Sequence, residues 1–269
     1  MTGVPASADV SESVLLSEAN EACMGCRTGR ALDMPITMAF QPIVDIRTDT
    51  VFAYEALVRG VDGQSAGEVL ASVGPEMIYK FDQACRVTAI ELAGRLFAAG
   101  GEAKLSINFM PNAVYEPDAC IRASLAAAGR VGFDPRRLMF EFTEDERMQD
   151  VSHVRRIIDA YRARGFATAI DDFGAGYAGL GLLADLHPDM LKLDMALIRG
   201  IDTSASRRTI VAGIARIAEA LGVRCIAEGI ETAGELQALR EVGIHLCQGY
   251  YLARPAIEAL PDIAPSVRP

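Results

Sequence analysis

Short apolar runs alternate with longer stretches of helical periodicity along most of this chain. Residues 36–44 and 50–58 read as strands, and the polar spacer Asp45-Ile-Arg-Thr-Asp49 between them is short. Such a connection favours an antiparallel pair, because parallel strands need a long crossover. Residues 81–99 carry apolar side chains at helical spacing (Ala84, Val87, Ala89, Ile90, Leu92, Ala93, Leu96, Phe97), with Gly100-Gly101 as the stop. A strand follows at 104–109. Pro111 sits where a helix could begin, and 119–128 continue helically. Residues 138–143 read as a strand, 151–164 as a helix closed by Gly165, and 166–170 as a strand. A glycine-rich loop, Asp172 to Gly179, comes next. Residues 190–193 are a strand, 207–221 an amphipathic helix closed by Gly222, 223–227 a strand, 233–242 a helix closed by Gly243, and 244–252 hold the last strand.

That rhythm predicts an α/β fold, a single TIM-like (β/α)8 barrel with an antiparallel first strand. Residues 1–35, polar and weakly periodic, read as a short N-terminal arm, and 36–269 as the barrel domain. A doubly wound open sheet is the alternative. It is weakened because polar strand ends are spread along the whole chain rather than gathered at one switch point.

Those strand ends carry the chemistry. Glu55, Asn108, Glu141, Asp171 with Asp172, Lys192 with Asp194, Glu228 and Gln248 all stand where apolar runs finish. An unpaired charge beside a core is costly, so repeated delivery of charge at strand ends points to one shared polar mouth. Glu55, Asn108, Glu141 and Asp171 offer hard oxygen ligands, which suit Mg²⁺ or Mn²⁺ rather than a thiolate-loving metal. Asp172 could serve a second ion, with Asp171 shared between the two. Lys192, on a strand buried on one face, needs anionic partners. It could orient an attacking water and offset transition-state charge. Asp194 falls on the same face by the period-two rule, as metal contact or support for the lysine. Glu228 could ligate metal or accept the water's proton, and Gln248 could donate to the water. Arg59 shares the face of Glu55, and a guanidinium matches phosphate geometry.

Composition narrows the partners. The net charge of −10 argues against DNA or RNA polymers, which need a basic surface, while bound cations would still admit a small phosphate ligand. Although 51% of residues are hydrophobic, no run approaches the roughly 18 uncharged apolar residues of a membrane span. The first residues lack the basic and apolar regions of a signal peptide, so a cytoplasmic location is expected. Of six cysteines, Cys85, Cys120, Cys225 and Cys247 read as buried free thiols. Cys23 and Cys26 form one Cys-x-x-Cys, two thiolates where tetrahedral zinc needs four ligands, and they read as free thiols, with zinc or redox sensing as the alternative.

Tyr54-Glu-Ala-Leu-Val-Arg-Gly60 and Ile170-Asp-Asp-Phe-Gly-Ala-Gly-Tyr177 resemble the EAL family of cyclic di-GMP phosphodiesterases. The resemblance runs from about Phe40 to Pro255. It includes Gln41-Pro-Ile43, Ser106-Ile-Asn108, Glu141-Phe-Thr-Glu144, Leu191-Lys-Leu-Asp194, Ala227-Glu-Gly-Ile-Glu231 and Gln248-Gly-Tyr250 in the family's order. It implies two-metal hydrolysis of cyclic di-GMP to linear pGpG. The metals would sit on Glu55, Asn108, Glu141, Asp171, Asp172 and Asp194, with Glu228, Lys192 and Gln248 as catalytic groups. It implies substrate contacts from Gln41, Leu57, Arg59, Tyr250 and Pro255, and a supporting role for Glu144 and Glu231 around the loop after the fifth strand. That loop departs from the usual wording, with Ala175, Ala178 and Gly179 where Thr or Ser are common. A homodimer is implied as well. Control is expected from a regulatory protein, the N-terminal arm, oligomerisation or expression. The alternative function is a silent receptor or protein-interaction module; a metal-dependent lyase fits the Asp171, Asp172 and Lys192 pattern less well.

Overall fold

The computed structural model describes residues 35–98, 100–111, 114, 116–143, 151–176 and 179–264. Its centre is a closed barrel. Strands β2 (Thr50–Gly60), β3 (Lys104–Asn108), β4 (Leu138–Thr143), β5 (Ala167–Phe173), β6 (Met190–Leu193), β7 (Arg224–Ala227) and β8 (Leu246–Cys247) are parallel neighbours in chain order. Strand β1 (Ile36–Asp45) runs against them and bonds β2 on one side and β8 on the other. The sheet therefore has no switch point, which removes the open-sheet alternative. A two-residue strand, β9 (Ala256–Ile257), adds to the outer half of β1.

Alternation along the strands sorts side chains into three groups. Those pointing outward, such as Phe40, Leu105, Phe140 and Leu191, pack under the helices in the main core. Those pointing inward in the lower half form a separate apolar cluster: Ile43, Ala53, Met139, Ala167, Ala169, Met190, Ile226 and Leu246. Two residues further along each parallel strand the inward position turns polar. Ala53 is followed by Glu55, Met139 by Glu141, Ala169 by Asp171, Met190 by Lys192, Ile226 by Glu228 and Leu246 by Gln248. In β1 the order is reversed, Gln41 before Ile43, because that strand runs the other way. The barrel is thus apolar below and charged above.

The helices are α1 (Ala66–Ser72), α2 (Ile78–Leu96), α3 (Pro117–Cys120), α4 (Arg122–Val131), α5 (Val151–Ala163), α6 (Gly179–Leu186), α7 (Met195–Ile198), α8 (Ala205–Ala220) and α9 (Ala233–Val242). Their buried stripes explain their docking: α5 buries Val154, Ile157, Ile158 and Tyr161, one face at helical spacing. Capping boxes at Ser65–Glu68 and Thr232–Glu235 start α1 and α9. Among the described residues, no helix is long and apolar enough to cross a membrane.

Several boundaries differ from the sequence reading. Helix α2 stops at Leu96, before the glycines, because Phe97 turns extended and packs edge-on against Phe40, Tyr54 and Phe133. The glycine-rich segment after β5 becomes helix α6 at Gly179, so Gly179 is helical rather than loop. Strand β8 has only two residues because Gly249 turns the chain. Helices α1 and α7 escaped the periodicity reading because they have seven and four residues. Cys120 and Cys247 are buried and Cys85 and Cys225 half-buried, all four free thiols. All of the arm but its last residue, with Cys23, Cys26 and Glu144, lies outside the described residues.

Candidate active site

Lys192 organises the polar upper layer. Its side chain is 1% exposed, and its Nζ lies 2.8 Å from Glu228 Oε1, 2.9 Å from Glu141 Oε2, 2.9 Å from Asp171 Oδ1 and 3.6 Å from Glu55 Oε2. Burial alone would lower the ammonium's pKa; Asp171, Glu141, Glu228 and Glu55 reverse this and hold it well above the usual lysine value. Four carboxylates against one ammonium leave an excess of buried negative charge. Burial pushes Glu141 up to about 8, against the pull of Lys192 and helped by Glu55 and Asp171. Glu228 is raised for the same reasons. Asp172 rises to about 6, from partial burial and the neighbouring Asp171.

Hydrogen bonds fix Glu141, Glu55 and Asp171. Ser106 on β3 donates to Glu141. Asn108 Nδ2 donates to Glu55 Oε1 at 3.3 Å, and Gln248 Nε2 donates to Glu55 Oε2 at 2.7 Å. Gln248 also reaches Gln41 Oε1 at 3.3 Å, and Gln41 Nε2 donates to the carbonyl of Ala253 at 3.1 Å. Asp171 Oδ1 accepts the amide of Asp172, whose φ of 53° lies in the left-handed region. Two overlapping triads result. Glu55, Glu141 and Asp171 each bring a carboxylate oxygen within 4.8 Å of the others, and so do Asp171, Asp172 and Glu228. An all-oxygen donor set with surplus negative charge fits hard divalent cations.

Glycines let the backbone come this close. A Cβ on Gly249, next to Gln248, would fall 2.2 Å from the backbone N and O of Ile230. At Gly174, after β5, φ is 97° and a Cβ would meet Leu197 at 2.4 Å.

A cleft of about 260 Å³ opens above the ring, lined by Gln41, Glu55, Asp172, Asp194, Glu228, Glu231, Gln248 and Tyr250. Tyr250 is half exposed, with the Arg254 guanidinium 4.2 Å from its ring centroid. Other expected site residues stand apart from the ring. Asp194 lies beyond the end of β6 and caps α7, accepting the amide of Ala196 at 2.7 Å. Arg59 donates to its own neighbour's carbonyl, Val58, at 2.7 Å. Leu57 lines a separate apolar cavity of about 530 Å³ between the barrel wall, α1 and α2, which Asn108 also borders. Glu231 pairs with Arg199 at 2.7 Å, and its amide donates to Glu235. Pro255 immediately precedes β9.

Three residues were not foreseen. Ser106 belongs to the motif around Asn108 and faces inward two positions before it. Asp82 and Arg86 of α2 form a buried pair at 2.5 Å, and Asp82 Oδ1 accepts the amide of Met110, just past Asn108. An acid and a base four apart on the apolar face of a helix were the available signal.

Comparison with known proteins agrees with this architecture. The EAL domain family matches residues 30–255. Over 227 residues the chain is 31% identical to the blue light- and temperature-regulated antirepressor BluF of Escherichia coli, covering 84% of this chain and 56% of BluF. It is 30% identical over 232 residues to the cyclic di-GMP phosphodiesterase PA2567 of Pseudomonas aeruginosa, covering 84% of this chain and 39% of PA2567. The chain thus spans about half or less of these curated relatives. Among solved structures, the c-di-GMP bound form of a standalone versatile EAL protein from Vibrio cholerae O395 superposes with a TM-score of 0.84 at 48% identity, covering 88% of this chain and 99% of that one. The Klebsiella pneumoniae BlrP1 manganese/cy-diGMP complex gives 0.78 at 37% identity, covering 87% and 59%.

Proposed function

This chain belongs to the EAL domain family, and from that premise we propose that it is a metal-dependent phosphodiesterase that hydrolyses cyclic di-GMP to linear pGpG. The observation that carries the reading is the pair of carboxylate triads sharing Asp171 around Lys192. Glu55, Asn108, Glu141 and Asp171 would hold one Mg²⁺ or Mn²⁺, and Asp171 and Asp172 a second, with Asp194 at the edge. When bound, such cations supply Lewis-acid charge neutralisation and lower the pKa of water toward neutrality.

The remaining steps belong to the protein's own groups. Glu228, at the cleft and beside Lys192, accepts the proton of the attacking water. The water oxygen forms the new bond to phosphorus in line with the 3′ oxygen, which leaves and takes up a proton. Lys192 offsets the negative charge gained at phosphorus. Gln248 keeps Glu55 in place and offers an amide to the water. Gln41, Arg59, Tyr250 and Pro255 hold the dinucleotide at the rim, and the apolar cavity beside Leu57 has the size and polarity for a purine face. Glu231, with Glu144, supports the loop after β5. Residues 36–269 form the barrel domain and 1–35 the arm in this reading, the active species is a homodimer, and a regulatory protein is compatible with it.

All ligand-type positions are filled, which favours turnover over silent binding. The test is incubation of purified protein with cyclic di-GMP and Mg²⁺ or Mn²⁺, with product identified by mass. Formation of pGpG, lost in Glu55→Ala, supports the proposal. Tight binding without decay would instead make the chain a receptor. Light scattering with and without the dinucleotide tests the dimer.

A further inference from the structure

The segment after residue 255, where the family match ends, is tied into the substrate side of the barrel. Strand β8 bonds β1 only at Val44 and Asp45. Strand β9 takes up the outer half, with Ala256 opposite Phe40 and Ile257 opposite Ala39. The amide of Glu258 then donates to Met38 O at 2.9 Å, and Thr37 Oγ1 donates to Glu258 Oε1 at 2.6 Å. Ala264 returns to Leu252 O at 2.8 Å, while Leu260, Ile263 and Ala264 pack on the outer core. Glu258 has φ 48°, a conformation that costs a residue with a Cβ and persists only where contacts impose it. The contacts here are those to Met38 and Thr37.

This strap starts at the carbonyl that holds Gln41, since Ala253 O accepts from Gln41 Nε2. It ends against Thr37, which lies on the same face of β1 as Gln41 by strand alternation. The strap thus bonds Gln41 at Ala253 and is pinned to the same strand, four residues away, where Thr37 meets Glu258. Through Gln248 it connects to Glu55.

We propose that Thr37 and Glu258 are positioning residues that fix Gln41 for substrate binding. The proposal rests on the assignment of Gln41 to the substrate. Thr37 and Glu258 touch neither the carboxylate ring nor the cleft lining, so their effect belongs to binding rather than to chemistry.

The experiment is steady-state turnover of cyclic di-GMP by Thr37→Val, Glu258→Ala and Glu258→Gln, with and without Gln41→Ala. Thr37→Val and Glu258→Ala are expected to raise KM about five- to tenfold with kcat within about twofold. Glu258→Gln keeps an acceptor oxygen for Thr37 and restores KM. In the Gln41→Ala background, Thr37→Val adds nothing, the signature of residues acting through one another. An unchanged KM, additive effects, or a fall in kcat and melting temperature without a KM change would overturn the proposal. Should the wild type bind cyclic di-GMP without turnover, the phosphodiesterase reading fails and the same comparison of Kd by calorimetry decides this inference alone. Absence of binding by the wild type would sink both.

Discussion

The ammonium of Lys192 lies nearer to Glu228, at 2.8 Å, than to any of the other three carboxylates around it. The group proposed to take the water's proton is thus the one held most closely by the lysine. That contact tempers the basicity that burial gives Glu228. Lys192→Met should therefore damage turnover more than binding, by about 10²–10³-fold in kcat, the usual loss for one charge-stabilising donor. Measured by urea unfolding without metal at pH 8, the variant should also lose about 3–5 kcal/mol, since buried carboxylates lose their partner. At pH 5 much of that deficit should vanish, because the acids can protonate.

The raised carboxylates set a pH dependence opposite to that of an ordinary salt bridge. Glu141 titrates near 4.5 when unfolded and is pushed up to about 8 when folded. Between those values the folded state binds more protons, so stability falls as pH rises through this window. The cluster's stability is fully present below about 4.5 and lost above about 8. Divalent metal competes with those protons, and Asp172, near 6, adds a further one. Thermal melts from pH 5 to 8 should show the metal-free protein weakening and the upward shift caused by Mn²⁺ growing. A shift independent of pH would show that these acids do not bind the ion.

Gly249→Ala places a methyl 2.2 Å from the backbone of Ile230. Backbone cannot swing aside as a side chain can, so the turn that carries Gln248 must move. Overpacking of this kind costs about 1–3 kcal/mol. The expected result in denaturant titration is that loss, together with weaker turnover because Gln248 no longer reaches Glu55.

Arg86→Met strips the partner from Asp82 in a region where Arg86 has no exposed surface. The expected cost is about 3–5 kcal/mol. Asp82→Leu combined with Arg86→Met should recover part of that stability, because no buried charge is left alone. Activity should stay low in the double variant, since the amide of Met110 has lost its acceptor beside Asn108. Equal recovery of stability and activity would show that the pair acts only on folding.

The sequence made the upper layer legible because strands impose a period of two. Wherever Met139, Ala169, Met190 or Leu246 faced inward, the residue two further on had to face inward too, so a polar group there had to enter the barrel. Past the end of β6 at Leu193 the rule no longer applies: Asp194 caps the next helix and lines the cleft without an ion pair to Lys192. Glu228, just past the end of the neighbouring strand, lies beside Lys192. Phe97 ended its helix early through aromatic packing with residues distant in sequence, which no local propensity records. The short helices α1 and α7 had too few residues to show a period. Ser106 was visible within its motif, yet its side-chain bond to Glu141, which the register sets opposite Asn108, depends on a pairing between distant strands.

The apolar layer formed by Ile43, Ala53, Met139, Ala167, Ala169, Met190, Ile226 and Leu246 makes the barrel a well with a sealed floor. Among the described residues, the cleft lined by Glu55, Asp172 and Glu228 opens at the rim. A molecule broad enough to stopper that opening would dry the chamber in a single step. Each charge left inside would then act through a poorer dielectric and at greater strength.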